Sequence, residues 1–409
     1  MLTRTFHYFD IPIHVSVSAN GLSVITVDTG TSCSRVGLFF RGGAWLDGKS
    51  PGLAHMVEHL LVEGRYRKGA CLPPKCLEKV HEAGMTGGAF TGYLTHNFFL
   101  NGPNDQIPLM VTSLLETCFD HIPDSRTLPL QQRIHEREFD YCGNTRPLVS
   151  ERIFPKEKRL RQSIGGTSES IRQLTMDDVE EFIEKRLLPV NATLVICGKA
   201  DHGTILDLVD SAHYAERKGE AIGLVVPEIE FKRSSIAQRS RELHLLYQMP
   251  MGLADSEAAR LAMNTVCGDQ LSLAMIKLRA KKQMIYCFQR SLDMSFNFAD
   301  IGTKADPLFF NEIEQAVVDG FESLAAEKAP KEGSSQAKHL QIFRNKHAFE
   351  SKLLAETRDP AEFYKMLTFF WQRNNLDELD SFQVTPTPEA VAKAAESVFR
   401  RHACVHLLP

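Results

Sequence analysis

The sequence predicts an α+β fold of two similar α/β-sandwich domains, each a mainly antiparallel sheet packed with helices. Three observations carry that prediction. At 409 residues the chain is longer than one hydrophobic core usually grows, so about two domains are expected. Strand-like segments followed by helical ones occur twice along it, which is α+β order repeated. Between the two runs, residues 216–238 have weaker apolar periodicity and more charge, include Pro227, and read as a linker. The domains are therefore set at 1–215 and 239–409.

The elements follow in order. His14 to Ser18 and Leu22 to Val27 alternate apolar and polar residues around Asn20-Gly21, a hairpin signal. A strand from Arg35 to Phe40 ends at Gly42-Gly43. A helix begins at Ser50-Pro51-Gly52, with Ser50 as its cap and Pro51 in its first turn. Helices are expected near 73–83, 105–119 and 128–141, with strands over Met85 to Phe90 and Leu94 to Leu100. Thr175 caps a further helix, and Thr193 to Cys197 is a buried strand. The second half opens with a strand, Leu243 to Gln248, then helices near 254–266 and 269–281 and a strand from Met284 to Ser291. Helices near 307–325, 333–355, 360–374 and 387–401 and a last strand, Cys404 to Leu408, complete it.

Composition excludes several classes. Hydrophobic residues at 43% and charged residues at 24% rule out a disordered or collagen-like chain. No apolar run approaches the roughly 20 residues of a membrane helix, so no membrane partner is expected. The net charge of −4 gives no surplus for nucleic acid. The nine cysteines are irregularly spaced and include no Cys-x-x-Cys pair, which argues against a zinc ribbon or a thioredoxin-like site. Scattered thiols fit a reducing compartment, and the N-terminus lacks a signal-peptide pattern. The expected location is cytoplasmic.

The chemistry concentrates in residues 51–64. Leu53, Ala54, Met56, Val57, Leu60, Leu61 and Val62 make this helix apolar nearly all round, so it should be buried. His55, Glu58 and His59 are its polar interior, and spacings of three and four put them on one face. Buried ionisable groups are costly unless paired, hydrogen-bonded or metal-bound. Two imidazoles a turn apart can share a cation, the ligand type that suits zinc, and a carboxylate between them can work on a water. The competing interpretation is a set of core histidines satisfied by hydrogen bonds.

His55-x-x-Glu58-His59 lies within Gly52-Leu53-Ala54-His55-Met56-Val57-Glu58-His59-Leu60-Leu61, which resembles the signature of the pitrilysin/insulinase family of zinc metallopeptidases, the inverzincins, in their small bacterial, mitochondrial processing peptidase-like form. Gly88-Ala89-Phe90-Thr91 resembles the family's Asn-Ala-Tyr-Thr strand, and Ile164 to Ile171 its Gly-x-x-Glu-x-Ile segment. Leu174-Thr175 and Pro189-Val190-Asn191-Ala192 match in order. The resemblance implies zinc held by His55, His59 and a glutamate on a later helix, with Glu58 as catalytic base. The family's usual spacing points to Glu136, with 76 residues between it and His59; Glu138 is the near competitor. The supporting glutamate that the family carries seven residues earlier would fall on Pro129. Gly88, Ala89, Phe90 and Thr91 would bind substrate by strand addition, Gly88 standing where the family has Asn. Arg279 and Tyr286 resemble the family's Arg/Tyr pair, which holds the substrate and stabilises an oxyanion. Read by themselves, the two are a helix-terminal cation and a half-buried core ring.

The resemblance thus implies a zinc-dependent endopeptidase that hydrolyses peptides or processes precursor peptides. The chain would form one half of a clamshell, completed by a homodimer partner or by a related subunit in a heterodimer. Two alternatives are a non-catalytic scaffold or peptide-binding subunit of a heterodimeric processing peptidase, and a peptide-binding protein with structural zinc.

Overall fold

The computed structural model describes residues 3–141, 146–212, 217, 219–223, 227–237, 240–293, 297–326, 335–372, 376–378 and 385–408. In chain order the elements are β1 (Arg4–Tyr8), β2 (Ile11–Val17), β3 (Ser23–Val27), β4 (Cys33–Arg41), α1 (Leu53–Glu63), β5 (Arg65–Arg67), β6 (Ala70–Leu72), α2 (Lys75–Glu82), β7 (Thr86–Thr91) and β8 (Thr95–Pro103). There follow α3 (Ile107–Leu115), α4 (Leu128–Tyr141), α5 (Arg146–Ile153), α6 (Ser168–Gln173), α7 (Met176–Arg186), β9 (Ala192–Cys197) and α8 (His202–Ser211). The remainder is β10 (Arg233–Ala237), β11 (Glu242–Gln248), α9 (Leu253–Cys267), α10 (Leu273–Met275), β12 (Gln289–Asp293), β13 (Phe298–Lys304), α11 (Phe310–Ala326), α12 (Ser335–Thr357), α13 (Pro360–Gln372), α14 (Pro388–Val398) and β14 (Ala403–Leu408).

These elements form two compact units. The first comprises Met1–Pro147, Arg159–Leu224 and Leu354–Leu376; the second comprises Leu148–Lys158, Val225–Leu353 and Asp377–Pro409. The grouping is therefore not a single cut at 216–238, because α13 folds with the first unit. Its Tyr364 lies over Gly37 of β4, where an added Cβ would come within 2.1 Å of the phenol oxygen. The Tyr364 hydroxyl donates to Asn97 on β8, and Trp371 packs edge-on against Phe39 at 5.1 Å.

The first unit's main sheet has the order β1-β2-β3-β9-β4-β8-β7, and the second unit's has β10-β14-β11-β13-β12. Each has one parallel pair, β3 with β9 and β10 with β14, and is otherwise antiparallel. The last five strands of the first order repeat the second strand for strand, which establishes the predicted α+β fold with two similar sheet-and-helix units. Helix α1 follows β4 and α9 follows β11, so they are counterparts. Counted from the first helical residue, the places of His55, Glu58 and His59 are taken in α9 by Asp255, Ala258 and Ala259. The second unit thus has no histidine pair at that place.

Several expectations need correction. Ser50 does not cap α1; its N-cap is Gly52, left-handed at φ 90°, with no side-chain cap bond of its own. The Asp47 carboxyl group takes the capping role, its oxygens accepting from Gly52 N at 2.7 Å and Ala54 N at 2.8 Å. β13 was not foreseen, because Asp300 and Gly302 break its apolar pattern. Nor was β10, an edge strand of alternating exposure inside the expected linker. The strand expected over 284–291 begins only at Gln289. The expected cap and turn have clear causes: Thr175 accepts from Asp178 N at 3.2 Å in a capping box, and Gly21 takes φ 91° in the β2–β3 turn.

Candidate metal centre

Helix α1 is buried along Leu53, Ala54, Met56, Val57, Leu60 and Leu61 and packs against α7, β7 and α4. The burial leaves one face for its polar residues, and α4 lies opposite. His59 Nε2 is 3.4 Å from Glu138 Oε2, and His55 Nε2 is 3.7 Å from the same oxygen. His135, also on α4, puts its ring 4.2 Å from that of His55 and 5.1 Å from that of His59. One ligand atom from each of His55, His59, His135 and Glu138 falls within 4.8 Å of every other.

The glutamate that the fold brings to this cluster is Glu138, not the expected Glu136. Glu136 is not in the cluster; its carboxylate pairs with Arg172 at 2.6 Å. A helix turns about 100° per residue, so Glu136 points well away from His135, while Gln131 and Glu138 share its face. Counting from Glu138 also changes the expected supporting position. Seven residues before Glu138 stands Gln131, not Pro129. Gln131 is fully buried, with Oε1 3.2 Å from His59 Nδ1 and Nε2 donating to Glu63 Oε2 at 3.0 Å. Sequence reasoning missed His135 and Gln131, although the 131, 135, 138 spacing on one helix face was available to find them.

Electrostatics agree with a cation-binding role. Burial, then the His135 and His59 rings, push the His55 imidazole down to about 3. Burial and His59 push His135 down to about 4. Burial also opposes protonation of His59, but the hydrogen bond and charge of Glu138, with Glu58 and Gln131, together outweigh it and raise the group. Three imidazoles at these separations repel one another when protonated, so the set cannot carry a proton on every ring. Such an arrangement is costly without a shared cation. The donor set of imidazoles with one carboxylate suits zinc. The residues therefore fit a metal ion.

Glu58 is buried beside the cluster rather than in it. Its Oε2 accepts from the Thr91 hydroxyl at 2.5 Å. Burial raises its carboxyl, with Thr91 and His59 working against that rise. Thr91 ends β7, which has no further strand beside it among the described residues, so Gly88, Ala89, Phe90 and Thr91 lie on the sheet's edge strand leading to Glu58. Phe90 is 48% exposed. Gly88 is covered by the Phe99 ring, 2.9 Å from where a Cβ would sit. The Ile164–Ile171 segment buttresses the helices: Gly165 O accepts from His135 Nε2 at 2.9 Å, and Ser170 Oγ donates to Pro51 O at 2.9 Å. In the second unit, Arg279 lies 4.7 Å from the Tyr286 ring centroid, and Tyr286 is 77% exposed.

Comparison with known proteins bears on this arrangement. Residues 23–138 match the insulinase model of peptidase family M16, and residues 173–340 match the model described as the peptidase M16 inactive domain. An uncharacterized zinc protease of Streptomyces coelicolor is 22% identical over 273 residues, 61% of this chain and 57% of that one. Subunit 1 of the bovine mitochondrial cytochrome b-c1 complex is 24% identical over 57% of this chain and 49% of its own length. The β subunit of the mitochondrial processing peptidase of Saccharomyces cerevisiae is 24% identical over 45% of this chain and 40% of its own. The matches thus span about half the length of these relatives. In fold, an M16 inactive-domain protein of Pseudomonas fluorescens superposes with TM-score 0.80 at 16% identity, covering 97% of this chain and 98% of that one. Pitrilysin superposes with TM-score 0.72 at 14% identity, covering all of this chain and 46% of pitrilysin. The motif, the fold and both family models agree: the chain belongs to peptidase family M16, the insulinase family.

Proposed function

We propose that the protein is a metal-dependent endopeptidase, with zinc as the ion, acting on peptides or peptide precursors. The observation that carries the reading is the convergence of His55, His59 and Glu138 from α1 and α4, with Glu58 beside them and tied to the edge strand by Thr91. His55, His59 and Glu138 would hold the ion. A bound zinc ion supplies Lewis-acid polarisation of a carbonyl and of a water.

The chain's own residues do the rest. An extended peptide adds to the free edge of β7 through backbone hydrogen bonds, which hold it regardless of sequence. Glu58, oriented by the Thr91 hydroxyl, takes the proton of the attacking water and returns it to the leaving amine. Arg279 and Tyr286 of a second copy would hold the substrate backbone and the developing oxyanion. The chain then serves as one half of a clamshell. The 46% coverage of pitrilysin by one copy of this fold supports such pairing. A homodimer would supply both sets of residues.

The second reading is a scaffold or peptide-binding subunit in a heterodimer. Similarity to a protein named as the β subunit of a processing peptidase favours the heterodimer, and the match of residues 173–340 to the M16 inactive-domain model favours the scaffold role. A peptide mixture incubated with the purified protein, with and without chelator, separates the two by mass spectrometry. Chelator-sensitive cleavage is expected for the peptidase; intact peptides in both samples would leave the scaffold.

A further inference from the structure

We propose that His135 is a fourth protein ligand, so that the ion is held by three imidazoles and one carboxylate. The proposal rests on the metal-site reading above and adds to it a residue that His-x-x-Glu-His does not contain. Distance is the first argument. Donors about 2.1 Å from a common ion sit roughly 3.4 Å apart when tetrahedral. The His59–Glu138 pair is at 3.4 Å and the His55–Glu138 pair at 3.7 Å. The whole set of four, His135 included, lies within 4.8 Å, so small side-chain rotations bring the donors to one centre.

Tautomer is the second argument. His135 Nε2 is 2.9 Å from Gly165 O. A carbonyl only accepts, so Nε2 carries the hydrogen and Nδ1 the lone pair. Metal-binding imidazoles are commonly held this way, one ring N–H fixed on a backbone carbonyl and the other nitrogen on the ion. His59 shows the complementary arrangement, with Nδ1 on Gln131 and Nε2 toward Glu138. Placement is the third argument. His135 is fully buried one helical turn before Glu138, and its ring is nearer to His55 than His59 is, at 4.2 Å against 4.8 Å. A mere packing role on that helix face would be filled more cheaply by an apolar side chain.

The consequence is a first shell with four protein donors, where hydrolytic zinc sites usually keep three and an open place. Water or substrate would then enter by expansion of the shell. The ion should also resist chelators better than His55, His59 and Glu138 alone would allow.

X-ray absorption spectroscopy of the zinc-loaded full-length protein tests this, together with zinc affinity measured by chelator competition. Three imidazoles are expected in the wild type. His135→Gln, which keeps a donor for Gly165 O, should show two imidazoles and bind at least about tenfold more weakly. His135→Ala serves as a second variant, and the melting temperature of each metal-free variant reports folding. Glu136→Gln should leave affinity unchanged. Two imidazoles in the wild type, with affinity unchanged in a folded His135 variant, would overturn the proposal while leaving the site itself standing. No zinc uptake by the wild type, or uptake indifferent to His55→Ala and His59→Ala, would overturn both.

Discussion

The Thr91 hydroxyl donates to Glu58 Oε2 at 2.5 Å, joining the edge strand β7 to the carboxylate of α1. A hydrogen bond to a charged group is worth about 1.5–3 kcal/mol. Thr91→Val keeps the shape and removes the donor. It should lower kcat roughly ten- to hundredfold with bound zinc unchanged, and Thr91→Ser should restore most of the loss. Metal analysis beside peptide-cleavage kinetics checks this. A Thr91→Val enzyme with full kcat would show that Glu58 needs no such positioning.

Gln131 bridges the two helices through His59 and Glu63. Removing a partner of a metal-binding imidazole typically costs 10- to 100-fold in affinity. Gln131→Leu should therefore weaken zinc binding by about that factor. It should also lower metal-free stability by roughly 1–3 kcal/mol, since His59 and Glu63 each lose a partner. Chelator competition and urea unfolding read the two effects separately.

Asp47 governs how α1 begins. Burial pushes its carboxyl up to about 7, against the pull of the Ala54 and Gly52 amides. Its folded value thus lies above the unfolded value of 3.8, and the folded state holds the proton across that window. The stability it contributes is complete below about pH 4 and is lost as pH rises through about 7, by at most about 4 kcal/mol. The stability difference between wild type and Asp47→Asn should accordingly move against the wild type from pH 4 to 7. Urea unfolding across that range measures it; a difference moving toward the wild type would mean that the amides hold Asp47 ionised.

Much of this was legible from residue patterns. Helix α1 announced itself because an almost wholly apolar helix carrying two histidines and a glutamate is expensive without a task. The turn at Asn20-Gly21 and the cap at Thr175 are local chemistry. Elements that depend on distant partners were not legible. β10 and β13 are strands because β14, β11 and β12 receive them, and α13 joins the first unit because Tyr364 fits over Gly37. Spacing alone pointed to Glu136, whereas the fold brings Glu138 to the histidines and leaves Glu136 on Arg172. The helical angle between residues 135, 136 and 138 decides it, and that angle matters only once α4 is known to face α1.

In the proposed mechanism Glu58 transfers the proton at a metal held by its neighbours. The direct test is Glu58→Gln, compared with wild type for zinc content and for cleavage of a peptide found to be a substrate. Full zinc occupancy with cleavage reduced by about a thousandfold or more is expected. Cleavage at the wild-type rate by the zinc-loaded variant would show that Glu58 is not the proton-transfer group.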